Sequence, residues 1–279
     1  MNFEYLIEKI NKADFSFSPF KHIYIENFFS DEHFNQIVKA KEISPPESKD
    51  DIDLIDNLCR LDFKVIDFPG CTSDVDKYLE WRRSGKKGSI NTTCEGFGVV
   101  LRLQSFSSPI IESINNFFRG DSFNAVCAER FQINFSECYF DGGIQKYLSG
   151  YEISPHPDVR KKATTFMVNI NPDPISESMN HHTHYLRFSK SREYVQRFWE
   201  ENPDVERAWV PWSWCETVKQ QTKNNSIVLF SPSNDTLHGV LADYNHLKTQ
   251  RTQLYGNLWY REDLTKSQVY HEQLDLLNR

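Results

Sequence analysis

From residue 130 onward the sequence falls into short runs of alternating apolar and polar residues separated by turn residues. This rhythm restricts the chain to a layered β architecture. Phe131, Ile133 and Phe135 alternate, and Asp141-Gly-Gly143 reads as a turn. Residues 144–151 read as a strand kinked at Gly150, and 163–170 as an apolar, β-branched strand. Residues 226–230 make a short apolar strand, and 250–260 a long one. Short strands with turns between them suit a sandwich or jelly roll better than a helical bundle. The 21 Phe, 12 Tyr and 6 Trp favour the same choice, since aromatic rings pack well on pleated sheets and line pockets.

The front of the chain mixes helices and strands. Phe3, Leu6, Ile7 and Ile10 have helical spacing over 3–12, and 20–29 reads as a strand around Ile23, Tyr24 and Ile25. Ser30 followed by Asp31 and Glu32 is an N-cap with an acidic first turn, opening a helix to about Ile43 that Pro45-Pro46 ends. Residues 45–57, acidic and turn-rich, are expected to form an exposed loop. A strand over 61–68, a helix over 75–83, a mobile turn over 84–88 and a strand over 97–103 follow. Ser108-Pro109 then caps a helix whose buried face is Ile110, Ile111, Ile114, Phe117 and Phe118.

With no internal repeat or interdomain linker, the 279 residues read as one domain. Residues 1–129 would support a core at 130–262, and 263–279 would form a C-terminal helix. Residues 171–225 lie between two expected core strands, and a loop of that length reads as a lid or binding surface. It holds His181-His-Thr-His184, a helix near 191–200 and Trp209-Val-Pro-Trp-Ser-Trp214.

A net charge of −7 without a basic face gives no nucleic-acid footprint. No apolar run is long enough to span a membrane, and no leader pattern opens the chain. The six Cys are scattered without a Cys-x-x-Cys pair, which disfavours structural zinc. A cytoplasmic protein with free thiols is the expectation. Its oligomeric state is not legible. No Gly-rich phosphate loop or Gly-x-Ser-x-Gly elbow occurs.

The chemistry concentrates in Tyr151-Glu-Ile-Ser-Pro-His156-Pro-Asp158. His156 and Asp158 share strand parity, so both point to one face, and Pro155 and Pro157 stiffen the backbone between them. His238 follows the 226–230 strand. Two imidazoles and one carboxylate match the facial triad that holds non-haem Fe(II) with open coordination positions. Arg251 opens the last long strand and shares a face with Gln253, Tyr255, Asn257 and Trp259. A guanidinium there can clamp a carboxylate in bidentate fashion. Lys248 is the rival clamp.

Residues 130–262 resemble the Fe(II)- and 2-oxoglutarate-dependent oxygenase superfamily, in particular its prolyl-hydroxylase-like branch. The features are Tyr147, Gly150-Tyr151, His156-x-Asp158, Val168-Asn-Ile-Asn171, His238, Arg251 and Trp259-Tyr260. The resemblance implies an α+β fold with a mainly β core, a double-stranded β-helix of the jelly-roll or cupin kind, braced by N-terminal and C-terminal helices. It implies Fe(II) on His156, Asp158 and His238, with 2-oxoglutarate and O2 as cosubstrates. It further implies Arg251 on the distal carboxylate of 2-oxoglutarate and Tyr147 as a second contact. Gln253 stands where the family often has Ser. The intact Asp158 implies hydroxylation of an unactivated C–H rather than halogenation, with release of succinate and CO2. The expected partner is a small molecule: an amino acid, a sugar or a biosynthetic intermediate. His182, His184, Trp212 and Arg160 are candidate substrate contacts. Trp209 and Trp214 are candidate pocket walls, and Arg160-Lys-Lys162 a possible attraction for an anion. A cupin-like ligand-binding protein, a metal-dependent isomerase and a peptidyl hydroxylase are the alternative readings.

Overall fold

The larger sheet is built where apolar side chains occupy both parities of a strand. Its core strands are therefore covered on one side by helices and on the other by a second sheet. The computed structural model describes residues 2–85 and 96–262. In chain order, α1 (Glu4–Lys12), β1 (Phe15–Ser16), β2 (His22–Glu26), α2 (Asp31–Lys39), α3 (Asp51–Arg60) and β3 (Phe63–Val65) come first. Then follow α4 (Val75–Ser84), β4 (Val100–Leu103), α5 (Pro109–Arg119), α6 (Asp121–Arg130), β5 (Cys138–Tyr147), β6 (Glu152–His156) and β7 (Lys162–Asn169). The remainder is β8 (Thr183–Phe188), α7 (Tyr194–Glu201), β9 (Cys215–Gln220), β10 (Ser226–Phe230), β11 (His238–Leu241) and β12 (Arg251–Tyr260).

Eight strands form the major sheet in the order β1-β2-β10-β7-β12-β5-β4-β3, and four form the minor sheet, β6-β11-β8-β9. The fold is α+β with a two-sheet, jelly-roll core. Strand β12 is the spine of the major sheet, with all ten residues paired to β5 and most of them to β7. Its residues alternate. Leu254 joins Ile144, Leu148, Phe166 and Val168 in the core beneath the helices. Arg251, Gln253, Tyr255 and Trp259 face a cavity between the sheets. The strand period of two residues makes this division.

Helices α1, α2, α3 and α5 bury Leu6, Ile10, Ile37, Leu54, Leu58, Ile111, Ile114 and Phe118 in that same core. Ser30 caps α2 as expected, its hydroxyl accepting from the His33 N–H at 3.2 Å. Two buried ionisable side chains tie the helical layer to the sheet, and burial lowers one of them, Lys146, to about 7. Lys146, fully buried, donates to the Ile43 carbonyl at 2.7 Å and to Thr252 Oγ1 at 2.9 Å. Glu42, also fully buried, accepts from the N–H and hydroxyl of both Ser107 and Ser108 at 2.6–2.9 Å. Burial alone would raise the Glu42 carboxyl, but these donors hold it down at about 2. Ser108 precedes α5 as expected, yet its hydroxyl serves Glu42 rather than the helix.

Four expectations are corrected. The acidic stretch 45–57 is not all loop: Asp50 caps α3, accepting from the Asp53 N–H, and Leu54, Ile55 and Leu58 supply a buried face. Asp141-Gly-Gly143 is the middle of β5, not a turn. Gly142 lies opposite Gly256, and a Cβ on Gly142 would sit 2.3 Å from the Tyr255 carbonyl oxygen and 2.6 Å from the Phe140 ring. The glycines there admit overlying rings rather than reverse the chain. Residues 131–135 end α6 and lead into a 3-10 turn. Finally, the 171–225 segment supplies β8 and β9 of the minor sheet, with α7 between them. Much of it is scaffold.

The expected helix over 263–279, most of the 84–88 turn and Cys94 lie outside the described residues. Among the described residues, Cys59, Cys71, Cys127, Cys138 and Cys215 form no disulfide, and no helix is long and apolar enough to cross a membrane.

Candidate metal centre

The minor sheet brings the two histidines together by register. His238 on β11 is the direct cross-strand partner of His156 on β6, and their ring centroids are 4.5 Å apart. Asp158 lies two residues past His156 and reaches the same face. His156 Nε2 is 3.8 Å from Asp158 Oδ1, and His238 Nε2 is 3.9 Å from Asp158 Oδ2. Ligand atoms of all three residues fall within 4.8 Å of one another.

The tautomers are fixed by the backbone. His156 Nδ1 lies 2.8 Å from the Ser154 carbonyl oxygen, and His238 Nδ1 lies 3.0 Å from that of Thr236. Each Nδ1–H donates to its carbonyl, so each Nε2 lone pair faces the carboxylate. Burial and the neighbouring His238 push the His156 imidazole down to about 3. Burial likewise lowers His238. Both rings are therefore neutral near pH 7 and free to coordinate. Burial alone would raise the Asp158 carboxyl, but the Lys162 ammonium and the two imidazoles offset this and hold it well below the usual range. Lys162 Nζ donates to Asp158 Oδ1 at 2.6 Å, and Thr165 Oγ1 donates to Oδ2 at 2.6 Å. The sequence offered Lys162 as an attraction for an anion rather than as a partner of Asp158, and Thr165 did not stand out. Lys162 follows Asp158 by four residues across a turn, and Thr165 projects from β7, which only the fold places beside the acid.

The donor set fits a divalent metal of the first transition row. Two neutral imidazole nitrogens and one anionic oxygen on one side of a point leave the other side open, the arrangement preferred by non-haem Fe(II).

The triad sits in a cavity of about 270 Å³. Arg251 lies at one end, 2 % exposed, its guanidinium over the ring of its cross-strand partner Tyr147 at 4.4 Å. Nη2 donates to Thr183 Oγ1 at 2.9 Å, while Nη1 is buried with no hydrogen-bond partner among the described residues. A buried, half-satisfied guanidinium opening on a cavity is a site for an anion. Lys248 is exposed and does not line the cavity. Gln253 lines the cavity and donates to Asn169 Oδ1 at 2.8 Å. The Tyr147 hydroxyl pairs with the Gln145 amide.

The other expected contacts lie apart. His182 and His184 are not among the lining residues; His182 Nε2 lies 3.2 Å from the Glu177 carbonyl oxygen, and His184 pairs with Thr217 at 2.9 Å. Trp212 donates to Glu152 at 3.1 Å, and Trp214 is likewise outside the lining. Arg160 is committed to the carbonyls of Val205 at 3.1 Å and Trp199 at 2.9 Å. Trp209 does line the cavity, as do Lys162 and Arg207, of which Arg207 carried no recognisable sequence signal.

No protein-family model matches the sequence, and no curated protein does. Solved structures do. The chain is similar to prolyl hydroxylases and to a 2OG-Fe(II) oxygenase. A prolyl-4-hydroxylase of Pseudomonas putida shares 10% identity at a TM-score of 0.45, over 92% of this chain and 98% of that one. A prolyl hydroxylase of Trichoplax adhaerens, in complex with a peptide fragment of the hypoxia inducible factor oxygen degradation domain, shares 11% at 0.41, over 91% and 87%. An oxidoreductase of the 2OG-Fe(II) oxygenase family from Burkholderia pseudomallei shares 11% at 0.37, over 86% and 95%.

Proposed function

We propose that this protein is an Fe(II)- and 2-oxoglutarate-dependent oxygenase that hydroxylates a C–H bond of a small molecule. One observation carries the reading: a His-Asp-His cluster, half-buried at His156 and buried at Asp158 and His238, and a buried guanidinium with an unpartnered Nη1 open on the same cavity. Iron held by His156, Asp158 and His238 supplies the redox chemistry, coupling oxidation of 2-oxoglutarate to succinate and CO2 with hydroxylation.

The chain's own residues set the conditions for that chemistry. The Ser154 and Thr236 carbonyls orient the imidazoles. Lys162 and Thr165 fix both oxygens of Asp158 and keep it ionised. Arg251 offers its free edge to the distal carboxylate of 2-oxoglutarate, with Gln253 and Tyr147 beside it in the lining. Phe68, Ile153, Met167 and Tyr255 exclude water between them. The cavity volume suits 2-oxoglutarate and one compact substrate better than a long peptide. A soluble, cytoplasmic enzyme is part of this proposal.

The test is anaerobic loading with Fe(II), then 2-oxoglutarate, then oxygen. Iron-dependent succinate release that is lost in His156→Ala and Asp158→Ala supports the reading. Iron binding with no 2-oxoglutarate binding removes it.

A further inference from the structure

We propose that Arg207 anchors the substrate and that the substrate is a compact organic acid with an apolar body and no free ammonium group. The proposal deepens the oxygenase reading, on which it rests only for placing the body of the acid beside the metal.

Arg207 is 6 % exposed and lines the cavity. Its Nε is buried without a hydrogen-bond partner, and among the described residues its side chain enters no ion pair. Among the described residues, the adjacent Glu206 and the nearby Asp235 favour its charge at a distance, but neither accepts a hydrogen bond from the guanidinium. The Glu206 carboxylate accepts from the Arg160 N–H at 3.1 and 3.2 Å and from the Arg207 N–H at 2.8 Å. A guanidinium whose buried Nε–H lacks an acceptor is costly to keep unless something brings one. A carboxylate matches its planar fork.

Position separates Arg207 from the cosubstrate clamp. The Val210 N–H donates to the Pro155 carbonyl at 2.7 Å, which holds the 207–210 segment against the end of β6, next to His156. Arg251 begins the cavity face of β12 and Trp259 ends it. Between them Asn257 meets Thr165, which holds Asp158. Arg207 thus flanks the triad, and Arg251 lies further along β12. Trp209, Trp259, Val159 and Pro157 give an apolar bed for the rest of the molecule.

Charge fixes the class. The lining has three cations, Lys162, Arg207 and Arg251, and one carboxylate, Asp158. Asp158 and Lys162 pair with each other at 2.6 Å. Ferrous iron and 2-oxoglutarate bring equal and opposite charge, so the loaded lining keeps the net positive charge of the empty one, and Arg207 is the guanidinium that the cosubstrate at Arg251 leaves for an anionic substrate. Among the described residues, no further lining carboxylate waits for an ammonium group.

The test is calorimetry on the protein loaded with Zn(II) and 2-oxoglutarate, with 3-phenylpropionate, its amide, L-phenylalanine and 2-phenylethyl phosphate as probes. Wild type binds 3-phenylpropionate at least about tenfold more tightly than the amide or L-phenylalanine, the scale of one charge-assisted contact. Arg207→Gln brings acid and amide to equal affinity, and Arg207→Lys keeps part of the preference. Thermal melts establish that both variants fold. Equal binding of acid and amide by wild type, a preference that survives Arg207→Gln, or no binding of any probe overturns the proposal. Tighter binding of the phosphate overturns the head-group assignment. The same titrations on metal-free protein keep the two readings apart. Failure of wild type to bind 2-oxoglutarate sinks the oxygenase reading, while an acid preference there that Arg207→Gln removes and Arg251→Gln retains still supports Arg207.

Discussion

Replacing Arg251 by Gln separates a residue kept for ligand from one kept for stability. In the ligand-free protein the change removes a Thr183 hydrogen bond and a guanidinium–ring contact, together worth roughly 2–4 kcal/mol. It also removes a buried charge whose Nη1 has no partner, a relief of roughly 1–3 kcal/mol. The two nearly cancel, so unfolding free energy should move by no more than about 1–2 kcal/mol. Ligand binding should not escape so lightly. Two charge-assisted bonds to the distal carboxylate contribute about 3 kcal/mol or more, so affinity for 2-oxoglutarate should fall by at least ~100-fold. Thermal melts of Zn(II)-loaded protein read both quantities. At a hundredfold excess over the wild-type Kd, 2-oxoglutarate should stabilise wild type by about 2.7 kcal/mol and the variant by about 0.4 kcal/mol. A variant that melts far below wild type yet keeps its ligand-induced shift would refute the reasoning, making Arg251 a structural residue only.

Further expectations concern the layers around the site. Glu42→Ala strands four donors of Ser107 and Ser108 and should cost about 3–5 kcal/mol in urea unfolding, whereas a cost below 1 kcal/mol would mean water replaces the carboxylate. The same carboxyl, depressed to about 2 when folded, contributes stability above its unfolded value and loses it as pH falls from about 4.5 towards 2. His156, lowered to about 3, and His182, lowered to about 4, should each cost the metal-free protein up to ~1.4 kcal/mol per pH unit as pH falls below about 6.5. Urea titrations at pH 7.5 and 5.5 check this, and flat stability across that window would contradict it. Lys146→Met replaces a buried ammonium by an apolar chain of similar length. It should leave stability within about 1 kcal/mol of wild type or raise it, as a chemical melt will show.

The sequence was most informative where a strand buried on both faces reads as a nearly unbroken apolar and β-branched run, or where a capping residue marks a helix start. Strands β7, β10 and β12 and the cap at Ser30 follow from period and residue type alone. The shared parity of His156 and Asp158 also follows from the two-residue repeat of a strand. The cross-strand pairing of His156 with His238 does not, because register depends on neighbours 82 positions away. Helix α3 was hidden by charge: Asp51, Asp53 and Asp56 outweigh Leu54, Ile55 and Leu58 unless Asp50 is read as a cap. Gly142-Gly143 imitated a turn because a glycine admitted for a neighbouring ring looks the same as one admitted for a bend. Arg207 was invisible, since its isolation from acceptors is a property of the assembled cavity.

Strand β12 imposes a parity on the site. Arg251, Gln253, Tyr255 and Trp259 face the cavity while Leu254 and Leu258 pack into hydrophobic clusters on the opposite face, so the two sets cannot drift independently. Deleting one residue from the link between β11 and β12, if the hydrogen-bond ladder kept its pairing, would carry Thr252, Leu254 and Leu258 into the cavity and drive Arg251 and Gln253 into hydrocarbon. Cavity and core would fail together. Variation in that link should therefore come in steps of two, or be absorbed before the strand begins.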